Sequence, residues 1–167
     1  MALHRNTKLI TSCGMLVASA IILGYIESLL PLNIGVPGAK IGLANIITFL
    51  ALYLLDRKYA LIILVLRILI IGITFTNLYM MIYSMVGGLL SLLVMMILKK
   101  FDFGMIVVSI MGGISHNIGQ TLVAMVFFSS TSFVYYLPYL IIIGMISGTL
   151  IGLTGSMILS RIKNTDS

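Results

Sequence analysis

LYMMIYSMVGGLLSLLVMMILKKFDFGMIVVSIMGGISHNIGQTLVAMVFF, residues 78–128, holds two long apolar runs divided by the short polar stretch KKFDFG. Each run meets the roughly 20 residues that a helix needs to cross about 30 Å of hydrocarbon. Neither shows the apolar–polar alternation of a barrel strand, so the pair predicts a helical hairpin through a membrane. Four further apolar runs surround it, at residues 10–30, 41–55, 59–74 and 133–158. The runs at 41–55 and 59–74 are short for a crossing. Of the 167 residues, 60% are hydrophobic and 8% charged, and the mean hydropathy is +1.22. Polar surface on that scale is too scarce to cover a soluble domain. The expected fold is all-α, a single-domain (residues 1–167) integral membrane bundle of six transmembrane helices. The start of the chain is basic and then apolar, like a signal peptide, but its apolar run exceeds an ordinary targeting core and reads as a retained first helix.

The charges fix a topology. Arg5 and Lys8 precede the first run, Arg57 and Lys58 separate the second and third, Lys99 and Lys100 the fourth and fifth, and Arg161 and Lys163 follow the sixth. Six crossings bring all eight to one side, leaving only Lys40 opposite and Arg67 within a helix. The positive-inside rule therefore predicts a multi-pass protein of the cell membrane with both termini cytoplasmic. The same distribution explains the net charge of +6 without nucleic acid, for which basic–aromatic interleaving is absent.

Several chemistries are excluded. There is no GxxxxGK[ST] loop for ATP. The four acidic residues, Glu27, Asp56, Asp102 and Asp166, are too scattered in sequence to form an aspartate-rich site for metal and diphosphate. No nucleophile–base–orienter set is visible, and the single cysteine, Cys13, excludes an internal disulfide and a cysteine metal cluster. The chain reads as a non-enzyme without a cofactor.

Polar residues at membrane depth are costly and mark function by default. In SIMGGISHNIGQTLVA (residues 109–124), Gly112, His116, Gln120 and Ala124 follow one another at i+4 spacing, with Asn117 alongside. That ridge suits either a cavity wall that reads a polar ligand or hydrogen bonding between helices. Glu27 and Lys40 flank the stretch PLNIGVPGAK (residues 31–40), whose prolines and glycines preclude regular helix. The two can pair with each other or orient a ligand, and Lys40 can equally snorkel to the interface. Arg67 can face a partner, a cavity or a carbonyl. Tyr79 and Tyr83, one turn apart, can line a pocket, whereas Tyr135 and Tyr136 suit an interfacial belt. Gly144, Gly148, Gly152 and Ser156 form a small-residue ridge suited to packing within the bundle, and Gly14 and Ala18 a shorter one suited to contact with another membrane protein.

ESLLPLNIGVPGAKIGLANIITFLALYLL (residues 27–55), GGLLSLLVM (87–95), GISHNIGQ (113–120) and YYLPYL (135–140) resemble the Gx transporter family. That family is also labelled heptaprenyl diphosphate synthase component I. The pattern is similar to the substrate-binding S components of energy-coupling factor (ECF) transporters. The resemblance implies a small-molecule substrate captured under a lid formed by the 31–40 loop, with Asn33 and Lys40 in that lid. It implies a pocket at Tyr79, Tyr83, His116, Asn117 and Gln120. It further implies docking of a transmembrane T component on Gly14 and Ala18, with two ATPase subunits as motor. The alternative that the label carries is a non-catalytic membrane accessory subunit of heptaprenyl diphosphate synthesis.

Overall fold

The computed structural model describes residues 2–29 and 42–165. The expected lid, with Asn33 and Lys40, lies outside the described residues. The chain folds as α1 (Ala2–Leu29), α2 (Asn45–Leu54), α3 (Arg57–Phe75), α4 (Leu78–Lys100), α5 (Met105–Phe127), a 3-10 turn (Thr131–Tyr136) and α6 (Leu137–Thr165). No strand occurs among the described residues. Five of the helices are long and apolar enough to cross a membrane. Their outer faces carry large side chains such as Ile73 and Val126, 79% and 78% exposed, which lipid rather than water accommodates.

The turns that separate the helices are written locally. Asp56 accepts a hydrogen bond from Arg57 N ahead of α3, and Asn77 accepts one from Met80 N (2.9 Å) as the N-cap of α4. Asp102 takes a left-handed conformation (φ 55°) in the tight α4–α5 turn, which Asp tolerates better than most residues. Pro138 sits in the first turn of α6, where its missing N–H costs no helical bond.

Contacts between the helices set their directions. Tyr25 packs at a tilt against Phe75 and Gly24 lies against Ile71, so α1 and α3 run parallel. Tyr79 meets Phe127 and Gly112 meets Met95, so α4 and α5 are antiparallel. Gly144, Gly148 and Gly152 lie in turn against Gly113, Ile110 and Ile106, so α6 is antiparallel to α5. The α2–α3 turn, the end of α4, the start of α5 and the end of α6 thus gather at one end, which carries Arg57, Lys58, Lys99, Lys100 and Arg161. The apolar core fills the half of the bundle nearest that end, around Phe49, Leu52, Ile63, Leu64, Leu92, Val108 and Leu159. Lys99 closes it by donating to Leu52 O at the end of α2 (2.5 Å) while lying over the Tyr53 ring.

The helical ridges of small residues divide as their surroundings dictate. A Cβ at Gly148 would stand 2.6 Å from Ile110 Cα and 2.7 Å from Ser109 O, so only glycine permits this approach of α6 to α5. The reading of Gly144, Gly148 and Gly152 as packing residues is therefore correct.

One expected crossing is shorter than its sequence suggests. The apolar run at 41–55 yields only ten helical residues, about 15 Å, or half the hydrocarbon. The cause lies just before it: Gly42 holds φ +80°, and Asn45 N bonds back to Gly42 O (2.8 Å), a turn that stops the helix from extending towards its N-terminus. Glu27 fixes that turn by accepting the Gly42 N–H. Arg67, ten positions into α3 and so about 15 Å from its start, bonds Asn45, which places the start of α2 at mid-depth.

Candidate binding cavity

The half of the bundle opposite the core holds a partly open cleft with about 40 Å³ of accessible space, bounded by the end of α1, the start of α2, the middle of α3, and parts of α4 and α5. That space admits a few water molecules. Its walls mix apolar residues, Ile68, Ile71 and Met81, with polar ones: Glu27, Asn45, Arg67, Thr76, Ser84, His116 and Gln120. A second, smaller hollow of about 20 Å³ adjoins it, shares Gly42, Asn45 and His116, and is lined further by Ser91, Ser109, Asn117 and Ser147.

His116 and Gln120 reach the cavity because α4 and α5 nearly touch behind them. A Cβ at Gly87 would lie 2.8 Å from His116 O and 3.0 Å from Gln120 Cγ, and one at Gly119 would lie 2.9 Å from Gly87 Cα. The glycine pair thus lets the His116 ridge form a wall with no intervening side chain. Gln120 is buried, with 8% of its surface exposed.

Arg67 dominates the electrostatics. It is 6% exposed, and its Nη2 donates to Asn45 Oδ1 (2.5 Å), while Nε has no hydrogen-bond partner among the described residues. Glu27, also buried, holds the Gly42 N–H. A cation and an anion therefore share one cavity wall system in a medium where each is expensive to bury.

The structure sorts the residues expected at the site. Glu27, His116 and Gln120 come together in the main cavity. Asn117 lines the second hollow, and its amide also donates to Leu140 O of α6 (2.6 Å), a bond that ties the two helices. Tyr79 points outward, 62% exposed, with its edge against Phe127 at 5.3 Å, and Tyr83, half-buried, is not among the cavity-lining residues. Tyr135 is 86% exposed, as an interfacial residue would be. Gly14 and Ala18 face away from the bundle, and a Cβ at Gly14 would meet nothing within 4 Å. Three polar residues of the main cavity are not singled out by the sequence: Asn45, Thr76 and Ser84. Asn45 carries a signal in hindsight, being the one amide within the apolar run from 41 to 55.

An apolar all-helical bundle with five membrane-length helices defines an integral membrane protein, here with a polar cleft in one half. Residues 16–158 match the family described as heptaprenyl diphosphate synthase component I, and the chain belongs to that family. No curated protein and no solved structure matches it.

Proposed function

We propose that the protein is the substrate-binding (S) component of an ECF-type transporter. It captures a small molecule, vitamin-like or related to isoprenoids and quinones, for ATP-driven uptake by a T component and two ATPase subunits. The observation that carries this reading is the cavity itself: Glu27, Asn45, Arg67, His116 and Gln120 converge in a chain that is otherwise apolar. Polar groups this deep are retained where they meet a ligand or a path. In this reading the chain performs no chemistry and has no motor of its own, so release of ligand depends on partners. The outward-facing Gly14–Ala18 stretch of α1 offers the T component a smooth surface for close helix contact. The protein sits in the plasma membrane with its basic end, and both termini, in the cytoplasm.

Native mass spectrometry of protein purified from its own membrane tests this. A retained small molecule is expected, with loss of it in His116→Ala and Gln120→Ala. Full retention in both variants would show that the cavity is not the site.

The family's name favours a second reading, a non-catalytic accessory subunit of heptaprenyl diphosphate synthesis. Affinity purification separates the two. A membrane T component and ATPases accompany an S component, whereas a soluble prenyl synthase accompanies an accessory subunit.

A further inference from the structure

We infer that the corner at which α3 begins and α4 ends holds an anionic phospholipid. The headgroup phosphate rests on Lys58 and Lys100, and the acyl chains lie along the outward faces of the two helices. Such a site is independent of what the cavity carries.

The charges of the corner do not balance. Among the described residues, Arg57, Lys58, Lys99 and Lys100 face Asp56 and Asp102, so four cations against two carboxylates leave two positive charges unmatched. The protein already engages part of this set. Asp56 accepts the Arg57 N–H at the start of α3, and Lys99 turns inward to Leu52 O and the Tyr53 ring. Lys99 also feels Arg57 as a like charge, which shows that the two helix ends meet. Lys58 and Lys100 are exposed, and neither ammonium has a hydrogen-bond or ion-pair partner among the described residues. Local helix electrostatics do not account for the pair on α3. Arg57 and Lys58 stand in its first turn, which holds no acidic residue and where the helix dipole disfavours cations. An external anion relieves both the excess charge and the repulsion.

The apolar surface beside these charges selects the kind of anion. On α3, Ile62 and Leu66 follow Lys58 at i+4 spacing, 41% and 42% exposed. On α4, Leu93 and Ile97 lead to Lys100 along one exposed face. The two helices pack directly, with Gly88 against Leu64 and Ile68, so the two apolar ridges are neighbours on the lipid side. Phe101, exposed next to Lys100, suits the boundary of the hydrocarbon and holds the ammonium at headgroup level. A water-soluble acidic partner would meet the ammonium groups and leave the ridges bare. A phospholipid meets both, and basic pockets between membrane helices suit anionic headgroups.

The chain has no tryptophan. Ile97→Trp on the α4 ridge and Met157→Trp, on the exposed face of α6 below Arg161, therefore each install a single fluorescent reporter of neighbouring lipid. The full chain is reconstituted in vesicles of phosphatidylcholine and phosphatidylglycerol, with brominated acyl chains on one lipid at a time. Quenching then gives the preference of each position for one lipid over the other. At Ile97→Trp, phosphatidylglycerol is expected to be preferred at least about fivefold, the weight of one cation near a membrane surface. The preference at Met157→Trp is expected to be smaller. Adding Lys58→Gln and Lys100→Gln abolishes the preference at Ile97→Trp and leaves that at Met157→Trp unchanged, and Lys58→Arg with Lys100→Arg preserves both. Equal preference at the two positions would report a diffuse surface potential and overturn the site, as would a preference that survives loss of both ammonium groups. No preference at either position would overturn it as well, and would leave the exposed cations to an acidic protein surface. Should the charge variants fail to fold, the comparison of the two tryptophan positions decides alone.

Discussion

Gly148→Ala adds one methyl group at the contact of α5 with α6. The new Cβ would stand 2.6 Å from Ile110 Cα, 2.7 Å from Ser109 O and 3.1 Å from Ile110 N. Carbon atoms rest about 3.5–4.0 Å apart at contact, so the two backbones must part locally by about 1 Å. Backbone atoms cannot rotate aside as a side chain can, and overpacking of this kind costs about 1–3 kcal/mol. The better helix propensity of alanine returns up to about 1 kcal/mol. The net expectation is a loss of about 1–2 kcal/mol. Gly14→Ala is the matched control. Its Cβ meets nothing within 4 Å, so it keeps only the propensity gain and is neutral or slightly stabilising. Reversible unfolding by SDS in mixed micelles, followed by circular dichroism, measures both. A Gly148→Ala protein within about 0.5 kcal/mol of wild type would refute the argument that the glycine ridge sets the distance between these helices. So would a Gly14→Ala protein that loses as much.

Three further outcomes are expected. Asn117→Ala removes the bond to Leu140 O and lowers stability in the same titration by about 0.6 kcal/mol, the average for hydrogen bonds between membrane helices, and by no more than about 1.7 kcal/mol. Lys99→Met keeps the aliphatic stem but loses the bond to Leu52 O and the contact with Tyr53, and costs about 1 kcal/mol. Single cysteines at Lys58 and Lys100, in a Cys13→Ser background, are expected to react with an impermeant maleimide only in inverted vesicles; labelling in intact cells would reverse the proposed orientation.

Much of this bundle is legible in the amino-acid sequence. The runs at 78–98 and 105–128 anticipate α4 and α5 to within two residues, because Asn77 and KKFDFG mark their ends with caps and charge. The i+4 spacing of His116 and Gln120 placed both on one wall, as the structure has them. What stayed hidden depended on neighbours. Nothing polar interrupts IGLANI until Asn45, so the late start of α2 rests on the φ of Gly42 and on a carboxylate fifteen positions away. Tyr79 and Tyr83 were a turn apart, but their helix is apolar on every side, and such a helix does not announce which face turns inward. The destination of Arg67 was equally silent, since only the fold brings Asn45 and Glu27 to it.

α1 is the least buried of the spanning helices and runs unbroken for 28 residues. Gly14, open to the outside, and Glu27, closed over the cavity, belong to the same rod, 13 residues or about 20 Å apart. α1 is thus a lever. A tilt of about 5° imposed at its exposed half carries the far end through about 1.7 Å, over half the length of a hydrogen bond. That motion would pull the carboxylate from the Gly42 amide and loosen the turn that starts α2. Whatever grips the outer face of α1 therefore has a mechanical hold on the cavity without touching it.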